Sequence, residues 1–220
     1  MRFIDALRPA RSAVPHPAVF AAGVLAMLGA VAGLAGDIIT IRLNDALNFV
    51  ANTVSQGAAG PHAVWVDVGL TVQGIGLVAI AAGLHHWRIG RNPRFVAGCG
   101  VLALTGLSVI LLAWRNAYGD GEPGGVVFHK PLTLVIGLLF ASALGLLAKE
   151  LGELDTGYFR FSFIAAGAWL IAWPAFIVTP EAYNGAVERI AGFTMITWMV
   201  IAGRLLMRRG RGETLEWAGR

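Results

Sequence analysis

The run YNGAVERIAGFTMITWMVIAGRLLM, residues 183–207, decides the fold: it is long and apolar enough to cross a bilayer, yet it carries Glu188 and Arg189 side by side about a turn and a half from its start. An ionisable group below a membrane interface costs roughly 2.5 to 3.5 kcal/mol on insertion scales, so such a pair faces protein rather than lipid. Neighbouring residues on a helix point about 100° apart, so Glu188 and Arg189 reach towards two different partners instead of neutralising each other. Gly185, Gly192 and Gly203 mark the small-residue side of this helix, the side expected to face other helices.

The remaining sequence agrees with a membrane setting. Of 220 residues, 56% are hydrophobic and only 14% charged, which is too little polar surface for a water-soluble domain of this size, and 29 glycines suit close helix packing. A mean hydropathy of +0.67 points the same way. The net charge of +4 is not a nucleic-acid signal, because the basic residues sit between apolar runs, where they act as topology signals. Cys99 is the one cysteine and lies inside an apolar run, which excludes an intrachain disulfide.

Working outward, apolar runs predict spans over residues 18–35, 61–84, 95–114, 131–148, 159–178 and 183–207. The first follows a basic head with Arg2, Arg8 and Arg11; Gly29, Gly33 and Gly36 give it a packing face that a cleaved secretory signal does not need. Between spans one and two, Leu43, Ala46, Leu47, Val50 and Val54 recur at helical spacing among Asn44, Asp45, Asn48 and Asn52, which predicts a short amphipathic helix lying along the interface. Pro174 is expected to kink span five. The fold class is therefore all-α: a polytopic six-transmembrane-helix bundle with a short interfacial helix, forming a single integral membrane domain over residues 1–220.

All but four of the 17 Lys and Arg fall on the side of both termini, the exceptions being Arg42, Arg115, Lys130 and Arg189. By the positive-inside rule the N- and C-termini are cytoplasmic and the protein belongs in a bacterial cytoplasmic (inner) membrane. The polar residues then gather in the outer half. Counting ~1.5 Å per residue puts Asp67, Glu188 and Arg189 in one layer about 8 to 9 Å deep, and the expected arrangement is a pair between Asp67 and Arg189, with Glu188 turned to Lys130 or Arg115.

The candidate binding residues are Asp67, Arg189, Glu188, His129, His62, Arg115 and Lys130. The favoured reading is a non-catalytic membrane protein that binds lipid, or another membrane subunit or copy of itself, through this outer polar pocket and its glycine-rich faces, with no nucleic-acid partner. The alternative is an intramembrane enzyme acting on an outer-leaflet lipid with His62, Asp67, His129 and Glu188, since imidazole and carboxylate together hold zinc and activate water. No HExxH or comparable spacing is present, so no cofactor is expected; haem or zinc at His62 and His129 is the lesser alternative. Transport is disfavoured, because the inner halves of most spans carry no charge to mark a path.

Three features carry a family resemblance: the six-span layout, the polar segment Asn48 to Gly60 leading into Pro61 and Asp67, and Tyr183-Asn184-Gly185-Ala186-Val187-Glu188-Arg189-Ile190 followed by Trp198. Together they resemble a bacterial membrane family catalogued as domain of unknown function 998, itself distantly similar to autophagy-modulator (DRAM) type membrane proteins. The resemblance implies a six-helix bundle and no particular reaction.

Overall fold

The structure is a computed structural model that describes residues 14–87, 92–114, 129–154 and 156–213. It contains seven helices among those residues: α1 (Pro17–Arg42), α2 (Val54–Gly57), α3 (Ala63–Trp87), α4 (Pro93–Trp114), α5 (His129–Gly152), α6 (Thr156–Val178) and α7 (Asn184–Gly210). A 3₁₀ turn at Glu181–Tyr183 leads into α7. All but α2 are long and apolar enough to span a membrane, so this is a membrane protein with six membrane-spanning helices.

The spans form a ring in chain order. Each packs on its sequence neighbour among the spans, α7 returns to α1, and α3 also touches α7 across the middle. His16 N donates to Gly210 O at 2.9 Å, so the two described chain ends meet at one end of the ring. This terminal end holds the apolar core, which includes Leu77, Leu84, Leu144, Leu147, Leu205 and Leu206, each fully or almost fully buried. Phe140 roofs it, fully buried and met edge-on by the rings of Trp169 and Trp198, each at 5.8 Å.

Small residues set the closest helix contacts. In the α1–α3 seam, a Cβ on Gly36 would stand 2.3 Å from Trp65 O, and one on Gly29 would stand 2.9 Å from Val72 O. Close backbone approach of this kind is how spans associate where lipid offers no hydrophobic drive. The packing face read from Gly29, Gly33 and Gly36 is thus in place. Gly203 likewise faces Ala26 and Gly23 of α1, but a Cβ on Gly192 would meet nothing within 4 Å, so this glycine lies outside the seam it was expected to join.

Two further expectations change. Helix α1 runs on to Arg42 instead of ending near Ala35, and residues 43–53 form turns and bends instead of an amphipathic helix, leaving only the four-residue α2. The cause is local. Asn48 Oδ1 accepts from Val50 N and Ala51 N, Asn44 Oδ1 accepts from Ala46 N, and Asn52 Oδ1 accepts from Asn48 N. Short amide side chains that capture nearby backbone donors compete directly with helix. Pro174 lies inside α6, which runs unbroken from Thr156 to Val178.

Candidate functional site

At the end of the ring opposite the termini, the segment from residue 43 to residue 62 crosses the bundle as a strap and is fastened to the start of α7. The first N–H groups of a helix lack intrahelical partners. Here Gly185 N donates to Ala51 O (3.3 Å) and Ala186 N to Val50 O (2.9 Å), so strap carbonyls satisfy them. The fastening is reciprocal: the Glu188 carboxylate accepts from Val54 N (2.8 Å) and the Ser55 hydroxyl (3.1 Å), capping α2 from outside. Thr53 and Gln56 complete a capping box on the same helix. Gly185 has no substitute at this docking point, because a Cβ there would fall 2.2 Å from Asn52 O.

Arg189 anchors the assembly. Its Nε and Nη2 donate to the two oxygens of Asp37, each at 2.8 Å, and its Nη1 donates to Phe49 O (2.8 Å), Asn52 O (2.6 Å) and Gly185 O (3.2 Å). The guanidinium also lies 5.2 Å from the Phe49 ring centroid. A bidentate guanidinium–carboxylate pair is among the stronger charge-assisted contacts, and it is buried here, with Arg189 9% and Asp37 13% exposed. Leaving either partner alone in such a place typically costs ~3 to 5 kcal/mol.

The expected pair between Asp67 and Arg189 is therefore corrected: the partner of Arg189 is Asp37. Span one was ended too early: α1 runs on to Arg42, so Asp37 lies inside the helix, where its carboxylate meets Arg189. Glu188 holds the strap, and the side chains of its expected second cation, Lys130 or Arg115, lie outside the described residues. Asp67 is half-buried on α3, and His62, also half-buried, accepts from Thr40 Oγ1 through its carbonyl oxygen at 3.3 Å. Arg115 and the side chains of His129 and Lys130 lie outside the described residues.

Beneath the strap the ring encloses a cavity of about 250 Å³. Asp37, Ser55, Glu188 and Arg189 line its polar end. Its walls are apolar and aromatic, with Leu70 of α3, Leu134 and Ile136 of α5, Trp169 and Trp173 of α6, and Ile196 of α7. The chamber is only partly closed. Leu170 of α6 and Phe193 of α7 both line it and are 55% and 52% exposed, which places its side opening along the α6–α7 seam. At the terminal end that seam is shut, with Trp198 Nε1 donating to Ser162 Oγ at 3.1 Å, and the buried residues of α6 (Ser162, Ala165 and Ala166) all lie in its first half.

One lining residue stands out, Gln73. It is ten residues into α3, roughly 15 Å from the helix start and near the middle of a ~30 Å hydrocarbon layer. Its side chain is 6% exposed, lines the chamber and makes no hydrogen bond among the described residues. An amide unpaired in apolar surroundings costs ~1 to 3 kcal/mol by mutational measures. Two other lining residues, Asp37 and Ser55, were also outside the expected set. The capping box Thr53-x-x-Gln56 was the available signal for Ser55, since it marks a helix start there.

In chemical terms the chamber combines hydrogen-bonding and charged groups at one end with apolar walls below and an opening to the side. Among the described residues no group of three or more His, Cys, Asp or Glu is placed to hold a metal ion. A zinc or haem site at His62 and His129 rests on a side chain outside those residues. The family model described as Protein of unknown function (DUF998) matches residues 27–205, which takes in the strap, the chamber and nearly all of the six spans. No curated protein and no solved structure matches the chain. The chain belongs to the DUF998 family.

Proposed function

We propose that this DUF998 protein is a non-catalytic membrane protein that holds a lipid, its head under the strap among Asp37, Ser55, Glu188 and Arg189 and its chain leaving through the α6–α7 seam. The observation that carries the reading is the chamber's polarity: one charged end, apolar walls, and a lateral opening at membrane depth. Ligand sites between helices of a bundle have this mixture of apolar lining and few placed polar groups. A volume of about 250 Å³ exceeds the ~150 Å³ cavity that holds benzene and falls just below the ~300 to 1,000 Å³ of sites that enclose a whole drug-sized ligand. It therefore suits a head and the first part of a chain, with the remainder in the bilayer.

The positive-inside bias supports cytoplasmic termini in a bacterial inner membrane, which puts the chamber in the outer leaflet. A membrane-protein partner or a second copy would reach the lipid across the same open seam, where Ile171, Ile177 and Val178 of α6 are 67%, 66% and 81% exposed.

Gly192 provides the test, because it lines the chamber and a Cβ there would meet no protein atom within 4 Å. Gly192→Leu starts from that open position, projects into the chamber and also gains helix propensity, so the variant should fold at least as well as the parent. Mass spectrometry of lipid retained through purification in detergent is expected to find about one tightly held lipid per protein in the parent and none in Gly192→Leu. Equal retention by the two would refute the chamber as the site.

A further inference from the structure

We infer that the lipid head recognised in the chamber is a primary amine, held between the carboxylate of Glu188 and the side-chain amide of Gln73. The inference rests on the reading of the chamber as a lipid site and adds the chemistry of the head. Two independent observations lead to it, one of charge and one of unused hydrogen-bonding capacity.

At the polar end, Asp37 and Arg189 neutralise each other through two bonds. Glu188 is held by neutral donors, the Val54 N–H and the Ser55 hydroxyl. Among the described lining residues, the polar end thus has two carboxylates against one guanidinium. A carboxylate offers about four lone-pair positions, and the strap donors account for two. Among the described residues, a group entering from the apolar side therefore meets more carboxylate than guanidinium, an imbalance that favours a cation and opposes a phosphodiester head that lacks one.

The second observation is Gln73. The residue is more than nine-tenths buried, lines the same chamber and has no hydrogen-bond partner among the described residues. Gly33 makes room for it: a Cβ at Gly33 would lie 2.4 Å from Gln73 Oε1. Gly33 and Asp37 are four residues apart on α1, so they lie one above the other on one face, and the amide sits about one turn below the charged end. Two acceptors, Glu188 from α7 and Gln73 Oε1 from α3, therefore border one compartment at successive levels. A primary ammonium has three N–H donors and satisfies both; a trimethylammonium is cationic but has none.

The test uses the full-length protein in detergent with phospholipids that share brominated acyl chains and differ only in head: phosphatidylethanolamine, phosphatidylcholine and phosphatidylglycerol. Bromine quenches the fluorescence of Trp169 and Trp173 on the chamber wall, and Gly192→Leu supplies the background from the other tryptophans. Phosphatidylethanolamine is expected to act at about tenfold lower concentration than either other lipid, the difference of one charge-assisted contact. Glu188→Gln should reduce that preference to below about threefold, since it removes the charge. Should Glu188→Gln fail to fold because the strap loosens, Gln73→Met decides the matter, as Gln73 has no hydrogen-bond partner to lose among the described residues. It is expected to weaken phosphatidylethanolamine by about five- to tenfold with no loss of thermal stability. Equal quenching by all three heads, or unchanged phosphatidylethanolamine binding in Gln73→Met, overturns the amine assignment while leaving the lipid chamber standing. Quenching by none of them above the Gly192→Leu background overturns the chamber itself.

Discussion

At the terminal end of the ring, Leu144, Leu147, Leu205 and Leu206 are sealed from surrounding space and Trp198 ties α7 to α6; at the strap end, Leu134 and Ile196 border a cavity and α6 stands away from α7. The same six helices run through both halves. What differs is the side chains they present at each level: leucines fill the middle of the ring in one half, while in the other two adjacent charges, a strap and an amide with no partner among the described residues border an open space. The lesson is that the packed half fixes the fold and thereby frees the other half to keep polar groups at membrane depth. Such groups are costly in a bilayer and mark functional sites by default.

The largest expected effect breaks the strap end outright. Asp37→Asn or Arg189→Gln alone leaves one buried charge without its partner and should cost ~3 to 5 kcal/mol, whereas the double change should cost clearly less than the sum of the two. Thermal unfolding in detergent measures all three variants. Additive losses would show that the pair is not a unit and that the strap stands without it.

A second comparison sets the halves against each other with one substitution. Leu144→Ala removes a fully buried side chain from packed surroundings and is expected to cost ~2 to 5 kcal/mol. Leu134→Ala removes a half-buried side chain that already borders the chamber, so fewer contacts are lost and the cost should stay near ~1 kcal/mol or below. Similar losses at both sites would mean that the chamber wall is as tightly packed as the core.

How far the sequence revealed this arrangement follows the same division. The six spans and the glycine face of α1 were legible because hydrophobic runs and small-residue spacing are local signals. The importance of Glu188 and Arg189 was legible too, since two charges inside a span require partners. Which partners they have was not, because that depends on where α1 ends: a hydropathy reading stops the helix near Ala35, while backbone hydrogen bonding carries it past Asp37. The strap was misread for a related reason. Its apolar residues do recur at helical spacing, but the side chains of Asn44, Asn48 and Asn52 spend the backbone donors on turns. Gln73 was visible as a polar residue in span two, yet only the three-dimensional ring shows that it borders a chamber and has no partner among the described residues.

Within the strap, Thr53→Ala sharpens the comparison at smaller scale. It removes the side-chain oxygen that accepts from Gln56 N at 3.1 Å, and losing a cap of this kind costs typically ~1 kcal/mol. Because Glu188 still holds Val54 N and Ser55, the loss should stay local. Limited proteolysis should cut residues 43–60 faster while the unfolding temperature of the bundle shifts little. A large global shift would mean that α2 supports the whole ring and not only its lid.

The smallest effect is expected from an ion pair of the same length at the other end of α7. Arg208 Nε lies 2.8 Å from Glu213 Oε2, matching the 2.8 Å between Arg189 Nη2 and Asp37 Oδ1. Distance alone would rank the two equally. Surroundings do not: Arg208 and Glu213 are 51% and 39% exposed, so water and salt screen them and two long side chains lose freedom to meet, while the pair at the strap end is mostly buried and bidentate. Arg211, at 3.8 Å from the other oxygen of Glu213, adds a weak contact of the same exposed kind. Glu213→Gln should therefore change stability by less than ~0.5 kcal/mol, and raising the salt concentration should erase even that. If Glu213→Gln destabilises as much as Asp37→Asn, then exposure is not what separates the two ends of α7, and burial would no longer explain why Arg189 in particular anchors the strap.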